Sequence, residues 1–589
     1  MKRKTITRLA QGLSLLLFLF LLWRMVWPLP ELFLPADIFL HLDPSVALSI
    51  PLAAREILPG LWPGLLLLLL AFPAGRFFCG MICPMGATLD LARFLLAKIL
   101  GPARSKRASG SDPESVPSGG KLFPRTDFRQ AKYLILAAVL GAALLGVNLV
   151  FWVSPLPLIT RLYALALHPL ALLAGHGLLP AGQAVLAPLD LPELAYAHIE
   201  LRRFDSLPFL VFFFGFLFGL ERLKPRFWCR YCCPAGALLA LCSLRPLWRR
   251  RVASCLHCGR CSRQCPMEAI APAGFPSRSR ECLVCRECLD VCPAKGTFFS
   301  CKETGRLERE GAAAREGAAG LKGTFGALAP VQGALAEGRA LPSRRAFLGA
   351  AGSGVVLAAL EMSGAHSLLG GEVQGLLWPA ACIRPPGALP EPDFLIRCLR
   401  CGQCMKACPG NALQPAWLEA GPEGMFSPLL LPRRGPCEPD CHVCGALCPT
   451  RAITPLPPEE KCWAKVGTAV VDPGLCLAWA QGRRCVVCEE VCPYGAVATL
   501  QDARSRFGPL PVPVVKPERC FGCGYCEYYC PVRIPAITVK PLGALRLSGS
   551  GYAEAGRAAG LRLLPAEKIR APAPDDPPEG ALPPGFSPL

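Results

Sequence analysis

The chain has 589 residues, 33 of them cysteine, with 52% hydrophobic residues and a formal charge of +20. A mean hydropathy of +0.37, with apolar residues concentrated before about residue 225, excludes an ordinary soluble chain and points to a bilayer. No aromatic platforms or recognition fold accompany the basic residues, which sets nucleic acid aside, and thiols this numerous and closely spaced make poor disulfide staples.

A membrane domain is expected over residues 1–245, with four spans: Leu9 to Trp27, Ile57 to Ala74, Tyr133 to Val153 and Leu207 to Leu220. The first resembles a signal peptide, but no small-residue cleavage site follows Trp27 and more spans come after it. Basic residues crowd the N-terminus at Lys2, Arg3, Lys4 and Arg8, the stretch from Arg76 to Arg129, and the stretch from Arg222 to Arg251. The positive-inside rule places all three in the cytoplasm. The apolar stretch Leu156 to Leu179 has room for a re-entrant or extra helix, and an extra span would invert everything downstream.

One Cys-x3-Cys-Pro loop follows the second span, at Cys79 and Cys83-Pro84, and another follows the fourth, at Cys229 and Cys233-Pro234. Thiols at i and i+4 share one face of a turn, so two such loops can present four ligands to a metal or cluster. A dithiol relay, or plain proline-stopped helix ends, fits the same spacing.

Residues 246–300 form a two-cluster ferredoxin domain. Cys255, Cys258, Cys261 and Cys265-Pro266, then Cys282, Cys285, Cys288 and Cys292-Pro293, repeat the Cys-x2-Cys-x2-Cys-x3-Cys-Pro run, in which three thiolates hold one [4Fe-4S] cubane and the fourth reaches a second. Zinc sites instead join two Cys-x2-Cys pairs through a long loop. The one swap available pairs Cys255, Cys258 and Cys261 with Cys292, and Cys282, Cys285 and Cys288 with Cys265. Residues 301–342, rich in Gly, Ala, Arg and Glu, read as a linker.

Ser343-Arg344-Arg345-Ala346-Phe347-Leu348 opens a weakly apolar segment over 343–363 with the form of a twin-arginine export signal. As a fifth span it would carry the rest of the chain to the outer side; an ordinary helix after a dibasic turn is the alternative. Residues 382–545 then hold four more motifs. Two are regular, Cys398, Cys401, Cys404 and Cys408, and Cys520, Cys523, Cys526 and Cys530. Two are stretched, Cys437, Cys441, Cys444 and Cys448, and Cys476, Cys485, Cys488 and Cys492. Six clusters are therefore expected. Short apolar pieces after each Cys-Pro, such as Ala412-Leu413, Ala452-Ile453, Ala496-Val497 and Ala536 to Val539, are expected as small strands around the cubanes. Regular motifs flanking stretched ones suggest nesting, with Cys530 serving Cys398, Cys401 and Cys404, Cys408 serving Cys520, Cys523 and Cys526, Cys492 serving Cys437, Cys441 and Cys444, and Cys448 serving Cys476, Cys485 and Cys488. Sequential pairing is the alternative. The Ala/Pro/Gly-rich tail over 546–589 is expected to be disordered.

The first 300 residues resemble the NapH-type membrane subunit of periplasmic nitrate reductase systems, a group related to NosR and CcoG. From Ser343 onward, the twin arginines, Ile383-Arg384-Pro385-Pro386-Gly387-Ala388 and the four motifs resemble the exported NapG and MauM ferredoxins. The fold class expected is an α-helical membrane domain followed by α+β ferredoxin-like domains with sparse secondary structure. The resemblance implies a bacterial inner-membrane protein that takes electrons from quinol and delivers them to a periplasmic cytochrome or reductase. It also leaves open a maturation factor supplying electrons to a metalloenzyme. His41, His168 and His176 are candidates to line a quinol pocket. Neither a dinucleotide fingerprint nor a phosphate loop is present, so flavin and nicotinamide are not expected.

Overall fold

The computed structural model of the protein describes residues 3–29, 34–101, 128–186, 199–243, 246–253, 255–256, 258–270, 279–300, 342–362, 382–417, 419–501 and 510–563. Nearly all of the expected linker, the tail from 564 and the stretch 363–381 lie outside them; the start of the tail expected as disordered is instead ordered, with a helix at Tyr552–Ala558 whose Tyr552 is buried. The chain divides into two compact units, residues 1–376 with 395–406, and residues 377–394 with 407–589.

The first unit is mainly helical: α1 (Arg3–Arg24), α2 (Pro44–Ala54), α3 (Trp62–Ala74), α4 (Phe77–Met81), α5 (Pro84–Ile99), α6 (Ala131–Leu144), α7 (Pro155–Leu162), α8 (His168–Leu186), α9 (Leu207–Leu220), α10 (Phe227–Tyr231) and α11 (Pro234–Cys242). Pro44, Pro84, Pro155 and Pro234 open their helices, where a missing N–H costs nothing. Asp43 caps α2 by accepting from the Ser45 and Val46 amides. Tyr133 and Leu136 of α6 pack on Ala237, Leu238 and Ala240 of α11.

By length and composition, Thr5–Arg24, Phe77–Ile99 and Pro155–Pro180 suffice to cross a membrane, while Pro44–Ala54, Pro59–Ala74 and Leu207–Leu220 are shorter apolar helices. The expected third span is corrected. Its helix α6 stops at Leu144, because Gly146 turns left-handed at φ 88° and Asn148 Oδ1 captures the Val150 amide to start a separate turn. The long apolar helix is the stretch after it, where α7 runs through a π turn at Tyr163–Leu167 into α8.

The order α3, α4, α5 recurs as α9, α10, α11, with Arg76, Cys79, Cys83 and Gly86 matched by Arg226, Cys229, Cys233 and Gly236 at a constant offset of 150 positions. Downstream, α12 (Arg260–Gln264) and α13 (Glu287–Asp290) lie between β1 (Arg249–Val252) and β2 (Thr297–Ser300), which pair antiparallel with Val252 opposite Thr297.

The twin-arginine segment forms α14 (Arg344–Met362). A Cβ on Gly141 of α6 would meet the Ala351 carbonyl, and one on Gly354 the Ala138 carbonyl, so the helices touch backbone to backbone and run antiparallel. The positive-inside reading sends both outward and expects them parallel. Small residues let the two backbones approach this closely, and among the described residues α14 is not one of the helices long and apolar enough to span.

Residues 395–406 belong to this unit too. Lys406 Nζ donates to the Met25 carbonyl at 3.1 Å, Arg161 Nε to the Arg400 carbonyl at 2.9 Å, and the Arg400 guanidinium lies 3.5 Å over the Phe151 ring.

The second unit has sparse strands, as expected. Three antiparallel pairs carry it: β3 (Leu413–Pro415) with β4 (Pro428–Leu430), β5 (Thr468–Val471) with β8 (Ile537–Lys540), and β6 (Val497–Gln501) with β7 (Pro511–Val515). The apolar pieces after Cys408, Cys492 and Cys530 supply β3, β6 and β8, while Ile453 makes a single bridge to Ala388. With sheets this small, thiols fill the interior: Cys441, Cys444, Cys476, Cys520, Cys523 and Cys526 are all buried.

Candidate iron-sulfur sites

In the first unit, Cys255, Cys258, Cys261 and Cys292 line one cavity, and Cys265, Cys282, Cys285 and Cys288 line another. This is the swap expected from the motifs. Its cause is β1–β2, which sets Val252, just before Cys255, against Thr297, just after Cys292. In the second unit the nested pairing is overturned. Cys408 joins Cys437, Cys441 and Cys444; Cys530 joins Cys476, Cys485 and Cys488; Cys492 joins Cys520, Cys523 and Cys526. Strand register is again the reason. Leu413 pairs with Leu430, Val471 with Ile537 and Val497 with Val515, each pair tying the end of one motif to the start of another. Cys398, Cys401 and Cys404 lie in the first unit and Cys448 in the second.

Among the described residues no three His, Cys, Asp or Glu side chains are close enough to grip a single metal ion. A tetrahedral zinc needs sulfurs about 3.8 Å apart, from Zn–S bonds of about 2.3 Å. Four convergent thiols spaced more widely fit a cubane, whose irons lie between them. Burial pushes Cys285, Cys441 and Cys488 up to about 12, and neighbouring thiols add to it, so loading iron must expel protons. Backbone amides already point at sulfur: Ala269 to Cys265 at 3.3 Å, Ala469 to Cys520 at 3.4 Å and Ala496 to Cys492 at 3.3 Å. Such donors offset cluster charge and tune potential. Cys382 and Cys462 instead donate to the Glu419 and Glu459 carbonyls, which marks them as packing residues.

The first-unit motifs are tied to the helices by charge. Glu281, beside Cys282, is buried and accepts from Arg76 Nη1 at 2.7 Å, Lys132 Nζ at 2.5 and 2.7 Å, and Tyr133 Oη at 3.0 Å. Burial opposes its ionisation, but Lys132 and Arg76 outweigh burial and hold it at about 2. Glu268 meets Arg129 at 2.9 Å, Lys224 at 3.0 Å and Arg230 at 3.1 Å; against partial burial, Arg230 and Lys224 also hold it at about 2. Motif reading missed these carboxylates because single acidic residues carry no spacing signal.

Cys79, Cys83, Cys229 and Cys233 are also brought together, each within electrostatic reach of others in the set. The candidate quinol-pocket histidines have separate surroundings. His41 bonds Asp37 at 2.8 Å, His168 lies edge-on to Trp23, and His176 is exposed.

The family described as 4Fe-4S binding domain (Fer4_5) matches residues 58–102 and 206–252, the two repeats carrying the Cys-x3-Cys-Pro loops. The chain is 39% identical to the methylamine utilization ferredoxin-type protein MauM of Methylophilus methylotrophus, over 30% of this chain and 78% of that one. It is 39% identical to the ferredoxin-type protein NapG of Escherichia coli K12, over 27% of this chain and 71% of that one. The putative electron transport protein YccM of the same bacterium is 38% identical over 12% of this chain and 20% of its own length. No solved structure matches the chain.

Proposed function

The chain belongs to the family of the MauM and NapG ferredoxin-type proteins, and from that premise we propose that it conducts electrons across the bacterial inner membrane through six [4Fe-4S] clusters. It is an iron-sulfur electron-transfer protein. In this reading the N-terminal half is a NapH-like membrane subunit fused to an exported ferredoxin. Quinol, or a cytoplasmic donor, supplies electrons, and a periplasmic cytochrome or reductase takes them up. The clusters bring one-electron chemistry; the chain's residues place them, exclude water and set potential. The observation that carries the reading is the five exchanged thiol sets, each closed by the fourth cysteine of another motif.

Redox-titrated EPR of the purified chain, with a quinol analogue as reductant, tests it. Reduction of clusters by the analogue supports quinol oxidation. If no cluster is reduced at any poise, supply of electrons to a maturing metalloenzyme becomes the better reading. A reporter fused after Leu542 tests the topology, which requires that fusion to be periplasmic.

A further inference from the structure

The two Fer4_5 repeats each contribute one loop to a single place. Cys83, Cys229 and Cys233 are buried, Cys79 is partly so, and all four are free thiols. Each loop is preceded, three residues before its first cysteine, by an arginine that reaches into the other repeat. Arg226 Nη1 donates to the Cys79 carbonyl at 3.0 Å and lies 3.4 Å from where a Cβ on Gly86 would sit. Arg76 Nη2 lies 2.7 Å from the corresponding point on Gly236, whose Cβ would also be 3.4 Å from Cys233 Sγ. Glycine at both positions is what lets the guanidinium groups in.

Arg76 is wholly inaccessible to solvent, and while Nη1 is bonded to Glu281, its Nε and Nη2 have no partner. Two unpartnered donors of a buried guanidinium, packed against the loop that carries Cys233, call for an anion there. Four thiolates on a [4Fe-4S]2+ core carry a net charge of −2; Arg226 is already paired with Asp90 at 2.6 Å, whereas Arg76, bonded to Glu281 through Nη1 alone, keeps two donors for such an anion. Among the described residues no three such side chains are placed to hold a single ion.

We propose that Cys79, Cys83, Cys229 and Cys233 together hold one further [4Fe-4S] cluster, shared between the repeats, with the free donors of Arg76 facing it. This deepens the electron-carrier reading and rests on it for the identity of the cofactor. It replaces the dithiol relay and the bare helix end as accounts of the two loops.

The full chain, purified without oxygen in detergent, is alkylated before and after its iron is stripped by a chelator, and each cysteine is read by peptide mass spectrometry. The four loop thiols are expected to react only after stripping. The C79S/C229S variant should contain about four fewer irons and four fewer sulfides per chain than the parent, with the motif cysteines still protected and Cys83 and Cys233 newly reactive. Equal reactivity of the four thiols before and after stripping, or an unchanged iron count in C79S/C229S, overturns the proposal. If the variant does not accumulate, the parent's alkylation pattern still decides. Should the motif cysteines themselves prove unprotected, the six-cluster reading fails; if only the loop thiols are unprotected, only this inference does.

Discussion

Replacing Glu281 by Gln removes the carboxylate that accepts from both Arg76 and Lys132 in the buried contact between the helices and the Cys282 motif. Lys132 and Arg76 have no exposed surface there, so neither ammonium nor guanidinium can turn to water for compensation. Breaking a buried pair by deleting one partner costs about 3–5 kcal/mol. At about 1.4 kcal/mol per decade this raises local opening roughly 140- to 4,000-fold. Native-state hydrogen exchange over residues 279–288, in detergent, reads that opening directly and needs no two-state unfolding of the whole chain. The E281Q/K132M double variant removes one stranded cation and should recover a substantial part of the loss. Unchanged exchange in E281Q, or a double variant that opens more than the single one, would refute the assignment of this carboxylate as the electrostatic tether.

Three other outcomes are expected from the geometry. In C530S the thiols exposed to alkylation should be Cys476, Cys485 and Cys488; exposure of Cys398, Cys401 and Cys404 instead would restore the nested pairing. In E268Q, Arg129, Lys224 and Arg230 lose their shared carboxylate, with a smaller cost of about 1 kcal/mol because Glu268 is more than a third exposed. The folded carboxyl is held near 2, below its ordinary value, so the stability it adds is complete above about pH 4.5 and fades only on acidification. The difference between parent and variant in thermal bleaching should therefore be flat from pH 6 to 9, and a steep slope there would contradict it. Gly354→Leu puts a side chain where a Cβ alone comes 2.0 Å from the Ala138 carbonyl. Hydrogen exchange over α14 should therefore be faster in G354L than in the parent, and unchanged exchange would refute the contact.

The cysteine runs showed where ligands lie because three thiols on a short turn allow few other geometries, and the regular pair in the first unit left one partner choice. The helical region was less legible. Hydropathy located α1, α3 and α9, but the break after Leu144 depends on Gly146 and Asn148, whose effect is local hydrogen bonding rather than apolarity. The carboxylate tethers depend on side chains far apart in the sequence, at 76, 132 and 281, which no spacing rule connects.

The failure of the nested pairing has a more general cause. Symmetry among motifs treats the fourth cysteine as free to choose, whereas the backbone beside it is already committed to a strand. Val497, five residues past Cys492, lies opposite Val515, five residues before Cys520, so one hairpin delivers Cys492 to the Cys520 motif. Val471 stands five residues before Cys476 and faces Ile537, seven past Cys530. Leu413, five past Cys408, faces Leu430, seven before Cys437. The pair in the first unit obeys the same construction, with Val252 three before Cys255 and Thr297 five past Cys292. In each case a strand leaving the last cysteine of one motif pairs with a strand near the first cysteine of its partner. Backbone hydrogen bonds thereby set a thiol that would otherwise have to be ordered at the full entropic cost of loop closure. Partner choice in such a polyferredoxin is therefore a strand-pairing problem. The short alternating pieces Val497 to Leu500 and Val512 to Val515 carry its answer more reliably than the spacing of the cysteines does.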